Sequence, residues 1–436
     1  MLHILLWLIG SGCLLVGCGP RPRPGKPPQH VLLVTVENLR TDHVTQLGHE
    51  RRTTALLRPD QPSVLDIDSI ALSGVAFARA YAPSADPELS LASLMGGAFP
   101  VDGGRASVAA AFPQGASSLA QAFHEAGFVT ACFVGSRSFN SSGSTDAALA
   151  QGFQAASFHA SDKETLGAAV AWLSAEIPKG GKHFTWIHLA DIQAPFDGQP
   201  FTDRHSVQLP EGESHPDPGP FVAGLQAAGV RPSPADLSRL NDLYDGALVR
   251  TTELTNSFFF LYKHEFGVQG LWDDTLVALA GVSGCSLGEG HGGIAARNSL
   301  REEALRVPIL FSHRNSLTGE RIFGEVVELA DLGATLRDWF RVDEGAPGSQ
   351  SLLAITDSYV KRDFAARPAL AVDGSSGNHS LRDERFRLVH SDDGDKLYDL
   401  QADPTGLHEV SGKFPEVMRA MQASAADRLQ QLGLVQ

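Results

Sequence analysis

The sequence predicts an α/β protein built on a parallel sheet, with a smaller antiparallel α+β unit at its C-terminus. Residues 31–36 (VLLVTV) are apolar without polar alternation and β-branched at four positions, the pattern of a strand buried on both faces of a parallel sheet. Further short apolar runs alternate with segments of helical period, a β-α-β beat. From about Pro368 the texture changes to short alternating runs and a closing helix.

Taken in order, the first strand ends in the polar pair Glu37-Asn38. In open α/β sheets the carboxyl ends of strands are where active sites collect, although both residues would equally suit a turn. Residues 63–73 carry Val64, Ile67, Ile70 and Ala71 at helical spacing, and 75–81 form a strand-like run. A loop then leads into LSLASLMGG, a small-residue helix ended by glycines. Residues 118–126 read as an amphipathic helix returning to a strand at 128–134, and 165–177 as a helix returning to a strand at 183–189 (HFTWIHL), with Asp191 just past it. Residues 195–235 are Pro- and Gly-rich, a surface excursion before a long helix over 234–266. TLVALA (275–280) and 307–311 supply two more buried strands, and 328–340 another amphipathic helix. The closing unit offers strands at 370–372, 385–390 and 396–399 and a helix over 415–432.

The 436 residues can bury a large core, and 43% of them are apolar, an ordinary globular composition. With 35 basic against 50 acidic residues the formal charge is −15, and RPRPGK near the start is the one basic run, which argues against a nucleic-acid partner. Residues 2–15 are an apolar run shorter than the roughly 20 residues that span a bilayer, and they read as a secretory segment. Leu15-Val16-Gly17-Cys18 resembles the lipobox of bacterial lipoproteins, although only His3 stands where a Lys or Arg is expected, and an ordinary cleaved signal is the alternative. That resemblance implies cleavage after residue 17, lipidation of Cys18 and a lipid-anchored position in the bacterial cell envelope, at the outer membrane or facing the periplasm. Residues 18–30 would then be a Pro-rich semi-rigid spacer, followed by a main domain over 31–367 and a subdomain over 368–436. Cys132 and Cys285 have no Cys or His at metal-ligand spacing and read as buried small hydrophobes.

VLLVTVENLRTDH, AFARAYAPS, ASLMGGAFP, SLAQAFHEAGFVTA, FTWIHLADIQAPF, YDGALVRT, NSLREEALRVPIL and KLYDLQADP stand in an order and spacing that resemble the sulfatase family of the alkaline-phosphatase-like superfamily. The likeness runs from Val31 to about Leu432. It implies a large mostly parallel sheet sandwiched by helices, with a smaller C-terminal antiparallel α+β subdomain. It also implies a Cys or Ser nucleophile in a C/S-x-P-S-R pattern, and a divalent cation on hard oxygen ligands that activates it. Basic residues would neutralise the sulfate, and a general acid would serve the leaving alcohol.

The residues at those positions depart from the pattern. Without gaps, the nucleophile position is Pro87, followed by Leu89, Ser90 and Leu91 where the motif has Pro, Ser and Arg. A shift in register would offer Asp86, Ser84 or Ser90. The family's basic residue after its T-G is Ala98 here. The metal positions are Glu37, Asn38, Val282 and Ser283, one carboxylate in four, and the substrate-binding His position is Gln193. His291, Arg297 and Glu289 would line the pocket mouth and read as loop residues rather than anion ligands. Gly288-x-Gly290-x-x-Gly293 follows a strand but opens no clear helix, so it is not taken as a dinucleotide fingerprint. Ser283 lacks the G-x-S-x-G frame of a nucleophile elbow.

The scaffold segments match while the chemistry-bearing positions do not. The expectation is therefore a membrane-anchored pseudoenzyme that binds a protein or glycan ligand, with no cofactor, or Ca or Mg if part of the metal site survives. The alternative is an active sulfate- or phosphate-ester hydrolase with a non-standard nucleophile and metal site. The expected pocket is Glu37, Asn38, Asp191, Gln193, His291 and Arg297.

Overall fold

The computed structural model describes residues 27–434 apart from 57–64, 103–104, 136–143, 197–199, 202–216, 267–269, 291–292, 318, 344–347, 357–363 and 375. Cys18, most of the spacer and His291 therefore lie outside the described residues.

The main strands are β1 (His30–Val36), β2 (Val75–Tyr81), the small hairpin β3 and β4 (Val101–Asp102, Arg105–Ala106), β5 (Phe128–Gly135), β6 (Ala155–His159) and β7 (Lys182–Leu189). They continue with β8 (Thr275–Gly281), β9 (Arg306–Ser312), β10 (Arg321–Phe323) and β11 (Val327–Glu328). A nine-stranded sheet runs β10-β2-β9-β8-β1-β7-β5-β6, with β11 also on β2. β9 is antiparallel to both β2 and β8, and the other pairings of this sheet are parallel.

β1 lies at the centre, between β7 and β8. Its side chains alternate between two cores: Leu32, Val34 and Val36 on one face, Val31 and Leu33 on the other. The first face is covered by helices Asp162–Glu176 and Pro234–His264 through Leu173, Leu240, Tyr244 and Leu248. The second is covered by helices Pro87–Gly96, Leu119–Glu125 and Leu329–Phe340 through Leu91, Phe123 and Leu332. The unalternating run VLLVTV is thus the signature of a strand with apolar neighbours above and below. Its one polar side chain, Thr35, is buried and satisfied: it accepts from Trp186 Nε1 at 2.9 Å and lies 2.9 Å from His188 Nδ1. The glycines of SLMGG also have a reason. A Cβ on Gly96 would stand 1.9 Å from the Ala111 carbonyl oxygen, and Gly97 caps the helix at φ 85°.

β12 (Ala369–Val372), β13 (His379–Arg382), β14 (Phe386–His390) and β15 (Lys396–Asp399) form a four-stranded antiparallel sheet. Leu370, Leu381, Leu388 and Leu397 pack on Met421 and Ala425 of the closing helix Pro415–Gln431. This sheet is docked by Glu328, whose carboxylate accepts from Arg367 (2.6 Å), Arg428 (2.8 Å) and the Leu370 backbone N–H (3.0 Å).

The structure adds elements to the sequence reading, β6, β13 and helix Gly219–Ala228 among them. β6 at the sheet edge is only partly buried and so lacks the apolar run; β13 lies in a stretch of mixed polarity. Helix Gly219–Ala228 falls inside the Gly- and Pro-rich excursion, where composition masked it. Cys132 and Cys285 are free and buried, as expected, and burial pushes both thiols up to about 12.

Candidate functional site

Glu37 continues β1, its N–H donating to the Leu189 carbonyl at 2.8 Å, and the residue is only 2% exposed. Gln193 Nε2 donates to its Oε2 at 3.2 Å. Asn38 turns the chain in the left-handed region (φ 58°), a conformation Asn tolerates better than most residues. Its amide donates to the Ile192 carbonyl at 2.7 Å and accepts from Ser283 Oγ at 3.3 Å, while Ser283 Oγ accepts the Asn38 N–H at 3.2 Å. Tyr244 Oη donates to the Asn38 carbonyl at 2.6 Å. Val282 is 0% exposed in the apolar core, its N–H bonded to the Val36 carbonyl at 3.0 Å.

Those four positions are where the sulfatase resemblance places a divalent ion, and they do not fit one. Asn38 and Ser283 satisfy each other across the ends of β1 and β8, Val282 offers no donor, and Glu37 alone supplies charge. A hard dication seeks roughly six oxygens.

The nucleophile end is equally altered. Pro87 opens helix Pro87–Gly96, a position proline suits because no N–H is needed there. Asp86 is its N-cap, accepting the Glu88 N–H at 2.9 Å. The neighbouring serines have structural roles: Ser90 Oγ donates to the Ser84 carbonyl at 2.8 Å, Ser84 Oγ accepts the Asp86 N–H at 3.1 Å, and both residues are 0% exposed. Leu91 is core.

Arg297 ties the two ends together. Its guanidinium lies 3.9 Å from Glu37, 3.8 Å from Asp86 and 3.8 Å from Glu88. Thr145 Oγ1 donates to Glu88 at 3.2 Å. Burial, and then Asp86 beside it, push the Glu88 carboxyl up. The sequence reading places Arg297 at the pocket mouth, as a loop residue rather than an anion ligand. It does sit in a loop, but it is an ion-pair hub, and Asp86 and Glu88 are site residues that the family pattern gave no reason to group. Among the described residues, three carboxylates surround this guanidinium, a balance unfavourable to a sulfate dianion.

Asp191 is buried at the end of β7, with Arg250 at 3.9 Å. Asp162 caps the same corner, accepting the Ala190 and Asp191 N–H groups at 2.7 and 3.2 Å, and burial together with the Asp191 charge pushes its carboxyl up to about 7. Of the expected pocket, the structure joins Glu37, Gln193 and Arg297 directly. It turns Asn38 to a structural bond and leaves Asp191 in a separate corner. Arg40, which sequence reasoning passed over, grips Asp42 with Nε and Nη2 at 3.0 and 2.7 Å and also reaches Glu289 and the Cys285 carbonyl.

One cluster among the described residues has metal-ligand chemistry: His43, His49 and Asp245 each bring an atom within 4.8 Å of the others. Asp245 Oδ1 is 2.6 Å from His43 Nδ1, and Oδ2 is 2.8 Å from Arg51 Nη1. Burial opposes charge on Asp245, but His43 and His49 outweigh it and hold the carboxyl below its ordinary value. Arg51 supplies a positive charge to the same carboxylate, and His49 Nε2 lies 3.4 Å from Oδ2. Nothing in the sequence pairs His43 with Asp245, 202 residues away.

The fold has solved counterparts. A 2-O GAG sulfatase superposes with a TM-score of 0.68 at 16% identity, over 94% of this chain and 93% of that one. The phosphonate monoester hydrolase of Agrobacterium radiobacter gives 0.65 at 16% identity (93% and 96% covered). The phosphonate monoester hydrolase of Silicibacter pomeroyi gives 0.63 at 16% identity (92% and 95% covered). At this identity the likeness speaks for the fold. No curated protein matches by sequence. The Sulfatase family model, however, matches residues 29–342, most of the chain and all of the main sheet, so this protein belongs to the sulfatase family.

Proposed function

We propose that this chain is a sulfatase-family protein that binds rather than hydrolyses, held in the bacterial cell envelope by a lipid on Cys18 and acting on a protein or glycan ligand, with no nucleic-acid role. The observation that carries the reading is the donor set: Pro87 stands at the nucleophile position, and Glu37 is the one carboxylate among the four metal positions, the others being spent on a hydrogen-bonded pair or buried as core. One observation favours the competing reading of an ester hydrolase with a shifted nucleophile: the Asp86 carboxylate shares Arg297 with Glu37.

The metal test separates the two. Calcium or magnesium at millimolar concentration is expected to leave the melting temperature of the full-length protein unchanged, since a ligand stabilises only as far as it binds the folded state. A saturable upward shift that disappears in Glu37→Ala would overturn the binding reading and restore a metal-dependent one.

Anchoring rests on Leu15–Cys18 and the spacer that follows. No helix among the described residues is long and apolar enough to cross a membrane. Wild-type protein is expected in the membrane fraction of an expressing bacterium, with Cys18→Ser released or left unprocessed. Identical fractionation of the two proteins would remove the anchor from the proposal.

A further inference from the structure

We propose that the cavity between the β2–β9 edge and the C-terminal sheet is an anion site that binds a sulfate or phosphate ester on a small polar carrier. The reading above names no place for a ligand, and this site stands whether or not the family pocket turns anything over.

The cavity holds about 510 Å³ and is lined by Arg79, Arg306, Arg382 and Arg385 against Glu302 and Glu384. Four guanidinium groups converge here in a chain whose formal charge is −15. Two of them are already balanced. Arg385 forks onto Asp399 at 3.1 and 2.6 Å. Arg382, 6% exposed, lies 3.5 Å from Glu302.

Glu302 is held from several sides, so although the Arg306 charge also acts on it, it offsets these guanidinium groups only in part. Tyr81 Oη donates to it at 2.7 Å, and Arg387 also pairs with it. Burial works against its charge, yet Arg387 and Arg382 outweigh burial and keep the carboxyl below its ordinary value.

Arg306 and Arg79 have no carboxylate within ion-pair distance among the described residues. Arg306 is nevertheless fixed, its Nε donating to the Ala78 carbonyl at 2.7 Å, and Arg79 reaches the Glu384 carbonyl at 3.5 Å. A guanidinium anchored by one N–H keeps the rest of its planar fork for a ligand, and that fork matches a tetrahedral oxyanion. The volume falls within the roughly 300–1,000 Å³ of small-molecule sites, so it admits more than a bare ion. Leu400 and Pro404 are the apolar residues of a lining otherwise made of Arg, Glu and Gln401, which suits a hydrophilic carrier such as a sugar. The family pocket, with Glu37, Asp86 and Glu88 around one arginine, carries the opposite charge balance.

Calorimetric titration of the full-length protein at low ionic strength tests this, with hexose 6-sulfate, hexose 6-phosphate and the inorganic ions as probes. Saturable binding of either ester, tighter than its inorganic ion, is expected, and the tighter ester names the group. Arg79→Gln/Arg306→Gln should weaken that binding at least ten-fold while the ligand-free melting temperature stays put; Arg297→Gln should leave it within two-fold. If the double variant does not fold, the single variants decide, each expected to weaken binding several-fold. Absence of saturable binding, an inorganic ion bound as tightly as its ester, or wild-type affinity in the Arg79 and Arg306 variants would overturn the proposal. Loss of binding in Arg297→Gln would also overturn it, by placing the anion in the family pocket, and would leave the binding function intact.

Discussion

Full-length protein incubated with an aryl sulfate or an aryl phosphate, with or without calcium or magnesium, is expected to release no product above a mock-purified control. Removing a catalytic nucleophile alone costs on the order of a million-fold in turnover, and here the metal positions are closed as well. Val282 is packed in the core, Asn38 and Ser283 bond to each other, and Leu91 and Ala98 stand where the resemblance expects cations. Neither Pro87→Cys nor Pro87→Ser should restore activity, because the new nucleophile would meet no ion to lower its pKa. Any anionic substrate would also approach Glu37, Asp86 and Glu88, which among the described residues gather around Arg297. Turnover that survives further purification and falls in Asp86→Ala, Ser84→Ala or Ser90→Ala would overturn the reading and identify the nucleophile. The buried hydroxyls of Ser84 and Ser90, both engaged in holding the helix start, make Asp86 the first variant to assay.

Glu328→Ala is expected to cost about 3–5 kcal/mol of stability, measured by urea unfolding, the range for removing one partner of a buried ion pair. The side chain sits between β11 and helix Leu329–Phe340, 6% exposed, and accepts from Arg367, Arg428 and the Leu370 N–H. Burial opposes its charge, but Arg367 and Arg428 hold its carboxyl below its ordinary value. Truncation would strand two guanidinium groups and a backbone donor at the junction with the C-terminal sheet. Arg367 would keep Asp331 at 2.6 Å, whereas Arg428 would keep only the Gly348 carbonyl, at 2.9 Å. Glu328→Gln retains the shape and an acceptor oxygen and should cost less. A loss below about 1 kcal/mol for Glu328→Ala, the size of an ordinary exposed pair, would show that water replaces the network and that the apolar cluster holding Tyr81, Val326, Ala369 and Ala371 does the docking.

The elements that sequence revealed and those it hid differ in burial. β1, β7 and β8 are covered on both faces, so β1 and β8 are nearly continuous apolar runs and β7 keeps Phe184, Trp186, Ile187 and Leu189 between buried His and Thr residues, and the helices over them carry apolar residues at helical spacing. β6 is an edge strand and helix Gly219–Ala228 is mostly accessible; neither leaves such a pattern. At the site, Glu37 could be placed because it ends a recognisable strand. Arg297 could not be matched to Asp86 and Glu88, since no local spacing relates a loop after β8 to a helix start some two hundred residues earlier.

The sequence by itself determined the family frame, the order of strands and helices, and the identity of what stands at each chemistry-bearing position, Pro87 and Val282 above all. These are properties of single residues and short periods, set by β-branching, apolar repeat and the atoms a side chain possesses. Only the tertiary structure decided how side chains far apart in the chain are engaged: that Asn38 and Ser283 close on each other, that Arg297 gathers three carboxylates, that Arg51 pairs with Asp245, and that four arginines from β2, β9 and the C-terminal unit face one cavity. Charge balance and hydrogen-bond satisfaction depend on distances between residues far apart in the chain, and the packing of the sheet sets those distances.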